Sequence, residues 1–195
     1  MASDIEEIVA VCKEHGYVLP TVYQGSYSAI ARRTETEVFP TLRKHGIRFY
    51  AYSPIAGGFL SKSKAELTGQ VEGDKGSRWI EASKKDDVNS KLYNGLYNKP
   101  SFLNALDLWE GVAQSEGVSR AELAWRWVTY HSELKGEYGD AIIAGARKIE
   151  QLRDTVAIIQ RGPLSDDAVK RIDEIWDSVK ADAYLDNFEQ WSGSK

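Results

Sequence analysis

Residues 48–63 read RFYAYSPIAGGFLSKS. The apolar run suits a buried strand, a Tyr-Ser-Pro turn ends it, and the pair Gly57-Gly58 marks a further turn. Such a segment delivers one tyrosine, Tyr52, and a glycine-bearing loop to a single place. Upstream, Thr34 and Glu37 have the spacing of a helix-capping box, Pro40 must start or bend the helix, and Gly46 closes it. Before that helix, YVLPTVYQG (residues 17–25) forms a second β-rich run ended by glycine. The order strand, helix, strand over so short a span predicts a parallel pair joined by a crossover.

The same alternation continues in both directions. Ser3 and Glu6 suggest a capped first helix with Ile5, Ile8, Val9 and Cys12 on one face, ended by Gly16. Phe102, Leu106, Trp109 and Ala113 mark a helix running to about Gly117. Ser119 and Glu122 cap the next, with Leu123, Ala124, Trp127 and Val128 on its face. DAIIAGA (residues 140–146) predicts a third strand. Ile149, Leu152, Val156 and Ile159 predict a helix face after it. Ser165, Asp166 and Asp167 begin a last helix carried by Val169, Ile172, Trp176 and Val179. Residues 61–99 are polar and predict a long loop, and residues 184–195 an irregular tail. The whole of 1–195 predicts one α/β domain with about three parallel strands.

Composition narrows the functions. Net charge is −4 across 195 residues, which argues against a nucleic-acid or anionic-membrane surface. A single cysteine, Cys12, excludes an internal disulfide framework. The acidic start is unlike a signal peptide, so the expectation is a cytoplasmic protein. His15, His45 and His131 lack metal-ligand spacing, and no metal site is expected. GSYSA (residues 25–29) lacks the second glycine of a nucleophile elbow. There is no phosphate loop, and no Tyr-x-x-x-Lys pair. Trp109, Trp125, Trp127 and Trp176 fall on helices and read as packing. Trp79 and Trp191 fall in irregular segments that could meet a ligand or partner.

The run LPTVYQGSYSAIARRTETEVFPTLRKHGIRFYAYSPIAGGFLS resembles the second half of an aldo-keto reductase, of the aflatoxin-aldehyde reductase type. ELAWRWVTYHSEL, GDAIIAGARKIEQLRDTVA and GPLSDDAVKRIDEIW continue the resemblance in order. It implies an incomplete (β/α)8 TIM barrel, NADP(H) as cofactor, and reduction of aldehydes or ketones. It further implies that Gln24 bonds the nicotinamide carboxamide and that Tyr52 stacks on the nicotinamide ring. Ser53, Ile55 and Gly57 then wrap the pyrophosphate, Arg147 and Lys148 hold the 2′-phosphate, and Gln151 and Asp154 face the adenosine. The family often has Asn where Thr155 stands. Read without the resemblance, Tyr52 is a core tyrosine, Gln24 a strand-end glutamine, and Arg147 and Lys148 a solvated helix start.

The family's catalytic aspartate, tyrosine, lysine and histidine come from four strands with no counterpart here. The expectation is therefore a truncated protein that reduces carbonyls poorly or not at all by itself, acting as a homo-oligomer or with a partner chain. Two alternatives stand beside it. One is a cofactor-independent cyclase, dehydratase or isomerase. Its pocket would be lined by Tyr23, Tyr27, Tyr52 and Gln24, with the tyrosines as catalytic candidates and an aromatic or polyketide-like substrate. The other is a non-catalytic binding module.

Overall fold

The computed structural model describes residues 2–68 and 88–186. Among them, three strands form one parallel sheet in the order β1 (Val22–Ser26), β2 (Arg48–Tyr52), β3 (Ala141–Ile142). Register pairs Gln24 with Tyr50 and Ser26 with Tyr52, so β1 and β2 end together. The strand predicted over DAIIAGA is only two residues long, because Gly145 and its neighbours turn away into the following helix. The result is a partial barrel of α/β type, with helices packed along the sheet.

The helices follow from their apolar spacing and caps. Helix α1 (Ala2–His15) buries Ile5 and Val9. Ser3 lies inside it, where its hydroxyl donates to Asp4. The crossover holds two short helices, α2 (Thr34–Glu37) and α3 (Phe39–His45), because Pro40 starts the second afresh. Arg33, not Thr34, precedes α2, and no side chain caps it; the capping box expected at Thr34 does not form. Gly46 ends α3 in the left-handed region.

The stretch 61–99, expected as loop, contains helices α4 (Lys64–Leu67) and α5 (Val88–Tyr97). Ser63 and Glu66 cap α4 reciprocally: Glu66 N donates to Ser63 Oγ, and Ser63 N donates to Glu66 Oε2. Helix α4 is a single turn, and the helical spacing of Leu92, Tyr93, Leu96 and Tyr97 in α5 is hidden by the polar run before it. Helix α6 (Pro100–Glu116) buries Phe102, Leu106 and Trp109, and α7 (Arg120–Tyr130) buries Leu123, Ala124, Trp127 and Val128. Ser119 caps α7 and Ser165 caps α9 (Asp166–Val179), as their spacing predicts. Helix α9 turns Ala168, Ile172, Ile175 and Val179 inward, a face rotated slightly from the predicted one. Within the expected tail, Leu185 is buried; residues 187–195 lie outside the described residues, as does Trp79. Among the described residues, no helix is long and apolar enough to cross a membrane.

Two edges of the sheet carry apolar surface that faces away from this core. Beside β1, Ile8, Val11, Tyr17, Val18, Leu19 and Val22 are exposed. Beside β3, helix α8 (Ile149–Ile159) exposes Ile149 at 55%, Leu152 at 37% and Val156 at 48%. The helix predicted from Ile149, Leu152, Val156 and Ile159 forms, but the first three of these face solvent. Ile158 and Ile159 pack toward the core instead.

Candidate functional site

The two faces of the sheet differ in kind. Side chains alternate along a strand, so Tyr23, Gly25 and Tyr27 share one side of β1, and Gln24 and Ser26 the other. Tyr23 stacks on Phe49 at 5.7 Å between ring centres, and Phe49 also meets Phe39 of α3. Gly25 is required at that crossing: a Cβ there would lie 2.6 Å from the Phe49 ring. Tyr23 and Tyr27 therefore face the helices. Gln24 is exposed on the opposite, concave side, where Ser26 and Tyr52 end side by side.

This separation takes apart the pocket of Tyr23, Tyr27, Tyr52 and Gln24. Tyr27 is wholly buried. Its hydroxyl donates to Glu35 Oε1 at 2.6 Å and accepts from Glu133 N at 3.1 Å. Burial first, then the Glu35 carboxylate, hold its pKa far above that of an ordinary tyrosine. A hydroxyl so placed bonds the crossover to the end of α7 and reaches no open space. The Tyr23 hydroxyl is also pushed up, by burial and then by Asp186.

On the concave side, α5 lies over the strand ends. Tyr97 is buried, stacks on Phe59 at 5.2 Å, and shares a hydrogen bond with Ser26. Burial raises its pKa, and the nearby Tyr93 and Tyr52 hydroxyls raise it further. Tyr52 is half-buried in this tyrosine group.

Immediately after Tyr52 the backbone is strained. Ser53 and Ala56, neither a glycine, have φ of 57° and 51°, and Gly57 and Gly58 follow at 63° and 99°. Left-handed non-glycine residues cost roughly 1–2 kcal/mol each, and such strain concentrates at ligand-binding turns. The turn is pinned from below by buried Ala56, Phe59 and Leu60, and by a bond from Ala56 N to Ser53 O at 2.8 Å. Ile55 at φ −104°, followed by left-handed Ala56, makes one right-then-left step, and such steps form concavities suited to anions.

The turn opens on a groove made of two adjoining clefts. One, of about 240 Å³, is lined by Ser53, Pro54, Ile55, Gly57, Gly58, Trp125, Ile143 and Gly145. The other, of about 600 Å³, shares Ile55, Trp125 and Gly145 with it and continues over Ala146, Arg147, Gln151, Asp154 and Thr155. Volumes of this order suit a small organic ligand. The far end is the start of α8, where unsatisfied amides and the helix dipole favour an anion. Arg147 is exposed there, with Lys148 beside it just before the first helical residue. Gln151 folds back, accepting from Arg147 N at 3.0 Å and Lys148 N at 3.3 Å, and so fixes the loop that carries both cations.

The structure thus brings Ser53, Ile55, Gly57, Arg147, Gln151 and Asp154 into one groove, places Lys148 at its rim, and leaves Gln24 and Tyr52 on the adjacent concave face. Sequence reading missed Trp125, which lines both clefts. The signal was available: Trp125 and Trp127 are two residues apart on one helix and cannot share a face. Trp127 is wholly buried, and Trp125, packed in the core as expected, also reaches the groove lining.

Comparison with known proteins agrees with this architecture. The family model described as the aldo/keto reductase family matches residues 2–177. An oxidoreductase named sirO from Leptosphaeria maculans is 38% identical, over 93% of this chain and 53% of its own length. Human aldo-keto reductase family 7 member A3 is 37% identical, over 91% of this chain and 53% of its own. Human aflatoxin B1 aldehyde reductase member 4 is 37% identical, over 90% and 52%. The chain spans about half the length of the curated relatives it matches. A match across most of the chain, on a three-strand parallel sheet with a groove at its strand ends, shows that this chain belongs to the aldo/keto reductase family.

Proposed function

We propose that the groove from Ser53 to Thr155 is a dinucleotide site and that the chain is the NADP(H)-holding part of a reductase of aldehydes and ketones. The observation that carries this reading is the continuity of the groove. It joins a strained, anion-suited turn at one end to a cationic helix start at the other, with an indole between. A dinucleotide has that order of parts: a pyrophosphate, an adenosine and a terminal 2′-phosphate.

The residues present fit such a group. Arg147 and Lys148 would hold the 2′-phosphate, Arg147 through paired N–H donors. The Ser53–Gly57 turn would hold the pyrophosphate, and Thr155 and Asp154 would border the adenosine. Tyr52 offers a flat face, and Gln24 an amide, on the concave side beyond the turn. When bound, NADPH supplies the hydride. The chain's own residues bind it and orient it, with α5 covering the strand ends at Ser26 and Tyr52.

The proton for carbonyl reduction must come from a donor with tuned pKa near the substrate oxygen. The resemblance assigns that donor to other strands, so turnover would need further βα elements from a partner chain that carries them. The exposed apolar stripes of α1 and α8, one at each edge of the sheet, support such a neighbour.

Calorimetric titration with NADPH and NADH tests the site. NADPH should bind at least about tenfold tighter, and Arg147→Ala should abolish that preference. Equal affinities in the unsubstituted chain would sink the assignment of the 2′-phosphate to Arg147.

A further inference from the structure

Gly57 sits at the centre of the strained turn, and something other than the turn's own bonds faces it. A Cβ built on Gly57 would lie 2.1 Å from Cε1 of Tyr93 and 2.7 Å from two further ring atoms. The Tyr93 ring is therefore in direct contact with this backbone. Tyr93 is buried and stands on α5, which Tyr97 anchors through its stacks on Phe59 at 5.2 Å and against Phe102 at 5.6 Å. Phe59 follows the same turn. One helix thus grips the turn at two points: Tyr93 presses on Gly57 from above, and Tyr97 holds Phe59 from the side.

Sequence and geometry agree on why this matters. The turn contains two non-glycine residues with positive φ, and a strained backbone persists only when its surroundings over-determine it. The bonds within the turn run from Ala56 N to Ser53 O, from Gly58 N to Ile55 O and from Ser61 Oγ to Gly58 O. To these the Tyr93 ring adds a contact on Gly57 that comes from α5.

We infer that Tyr93 is a positioning residue for the pyrophosphate end of the groove, acting through Gly57 and touching no ligand itself. This inference rests on the dinucleotide reading of the groove. Without the ring, the Ser53–Gly58 turn relaxes and presents its backbone poorly to the pyrophosphate. The 2′-phosphate end, built on Arg147 and α8, is untouched.

The test compares NADPH with adenosine 2′-monophosphate, which has no pyrophosphate, on Tyr93→Phe and Tyr93→Ala chains. Tyr93→Phe keeps the ring and should match the unsubstituted chain on both ligands. Tyr93→Ala should weaken NADPH about tenfold and leave adenosine 2′-monophosphate unchanged. Tyr93→Leu, which keeps apolar volume and removes the flat ring from Gly57, should give the same split, and serves if Tyr93→Ala does not fold. A variant that stays folded yet loses both ligands together overturns the inference, as does unchanged NADPH binding in Tyr93→Ala. If the unsubstituted chain binds neither ligand, the dinucleotide reading falls and the inference with it. If adenosine 2′-monophosphate binds and only the NADPH split is missing, the groove stands and the role of Tyr93 falls alone.

Discussion

The two ends of the sheet are built on opposite terms. At the end where the strands begin, a buried carboxylate is fully bonded within the chain. The Asp140 side chain is 0% exposed and accepts from Phe49 N at 2.8 Å, Lys135 N at 2.9 Å and Arg43 Nη1 at 2.9 Å, with Arg43 Nη2 on its other oxygen. The Arg43 guanidinium lies between the Phe39 and Tyr138 rings, at 5.1 and 4.5 Å. At the end where the strands finish, the backbone is strained, the groove is open and Arg147 faces solvent. One end spends its charges on holding the fold. The other leaves Arg147 and a strained turn facing an open groove, as the proposed dinucleotide site requires. That division is expected where chemistry is confined to the C-terminal face of a parallel barrel.

The contrast can be broken most sharply at Asp140. Asp140→Ala leaves the Arg43 guanidinium and two amides without their acceptor. Urea unfolding should show a loss of about 3 kcal/mol, below the full cost of a deeply buried pair because Arg43 is partly exposed. A loss under about 1 kcal/mol would mean the strand-start end is not the structural one.

Glu122 offers a second, smaller test. It is buried in α7, accepts from Arg126 Nη1 at 3.2 Å and Arg161 Nη1 at 2.6 Å, and so ties α7 to the loop before α9. Arg126 also donates to Gly162 O and Pro163 O. Glu122→Ala should cost about 2 kcal/mol in the same experiment. At the other end, Arg147→Ala should change stability by no more than about 0.5 kcal/mol, because the side chain is exposed. A larger loss there would erase the distinction between the two ends.

The smallest effect concerns pH. Burial first, then the Arg126 charge, hold His131 below its ordinary 6.5. Its neutral Nε2 accepts from Leu164 N at 2.9 Å. A depressed pKa means the unfolded chain protonates first. The stabilisation is therefore complete above about pH 6.5 and fades as pH falls through the folded-state value. The His131 ring signals in an NMR titration should have a midpoint below 6.5, and a midpoint above it would contradict the burial argument.

Much of this was legible in the sequence because it is local. The strand ending at Tyr52, the turn at Gly57-Gly58 and the cation pair at 147–148 each lie within a few residues. The resemblance to a known family then set them in order around one ligand. What escaped is long-range or depends on a face. Asp140 draws its partners from Arg43 and Phe49, nearly a hundred positions away, and nothing local in the aspartate announces them. Tyr23 and Gln24 are adjacent in sequence, and alternation sends them to opposite sides of the sheet, so a pocket holding both was never available. The α8 stripe of Ile149, Leu152 and Val156 has the period of a buried face and is exposed. Periodicity shows that a helix has an apolar side, and says nothing of whether this chain covers it. Helix α5 escaped because its apolar face of Leu92, Tyr93, Leu96 and Tyr97 follows a long polar run, yet it carries Tyr93 and Tyr97 onto the strand ends.

Amide hydrogen exchange with and without saturating NADPH tests the central claim most directly, because it reads both ends of the sheet at once. The account predicts protection over residues 53–60 and 145–155, and no change over residues 43–49 and 135–140. Protection at the Asp140 end, or none anywhere in a folded chain at millimolar cofactor, would contradict it.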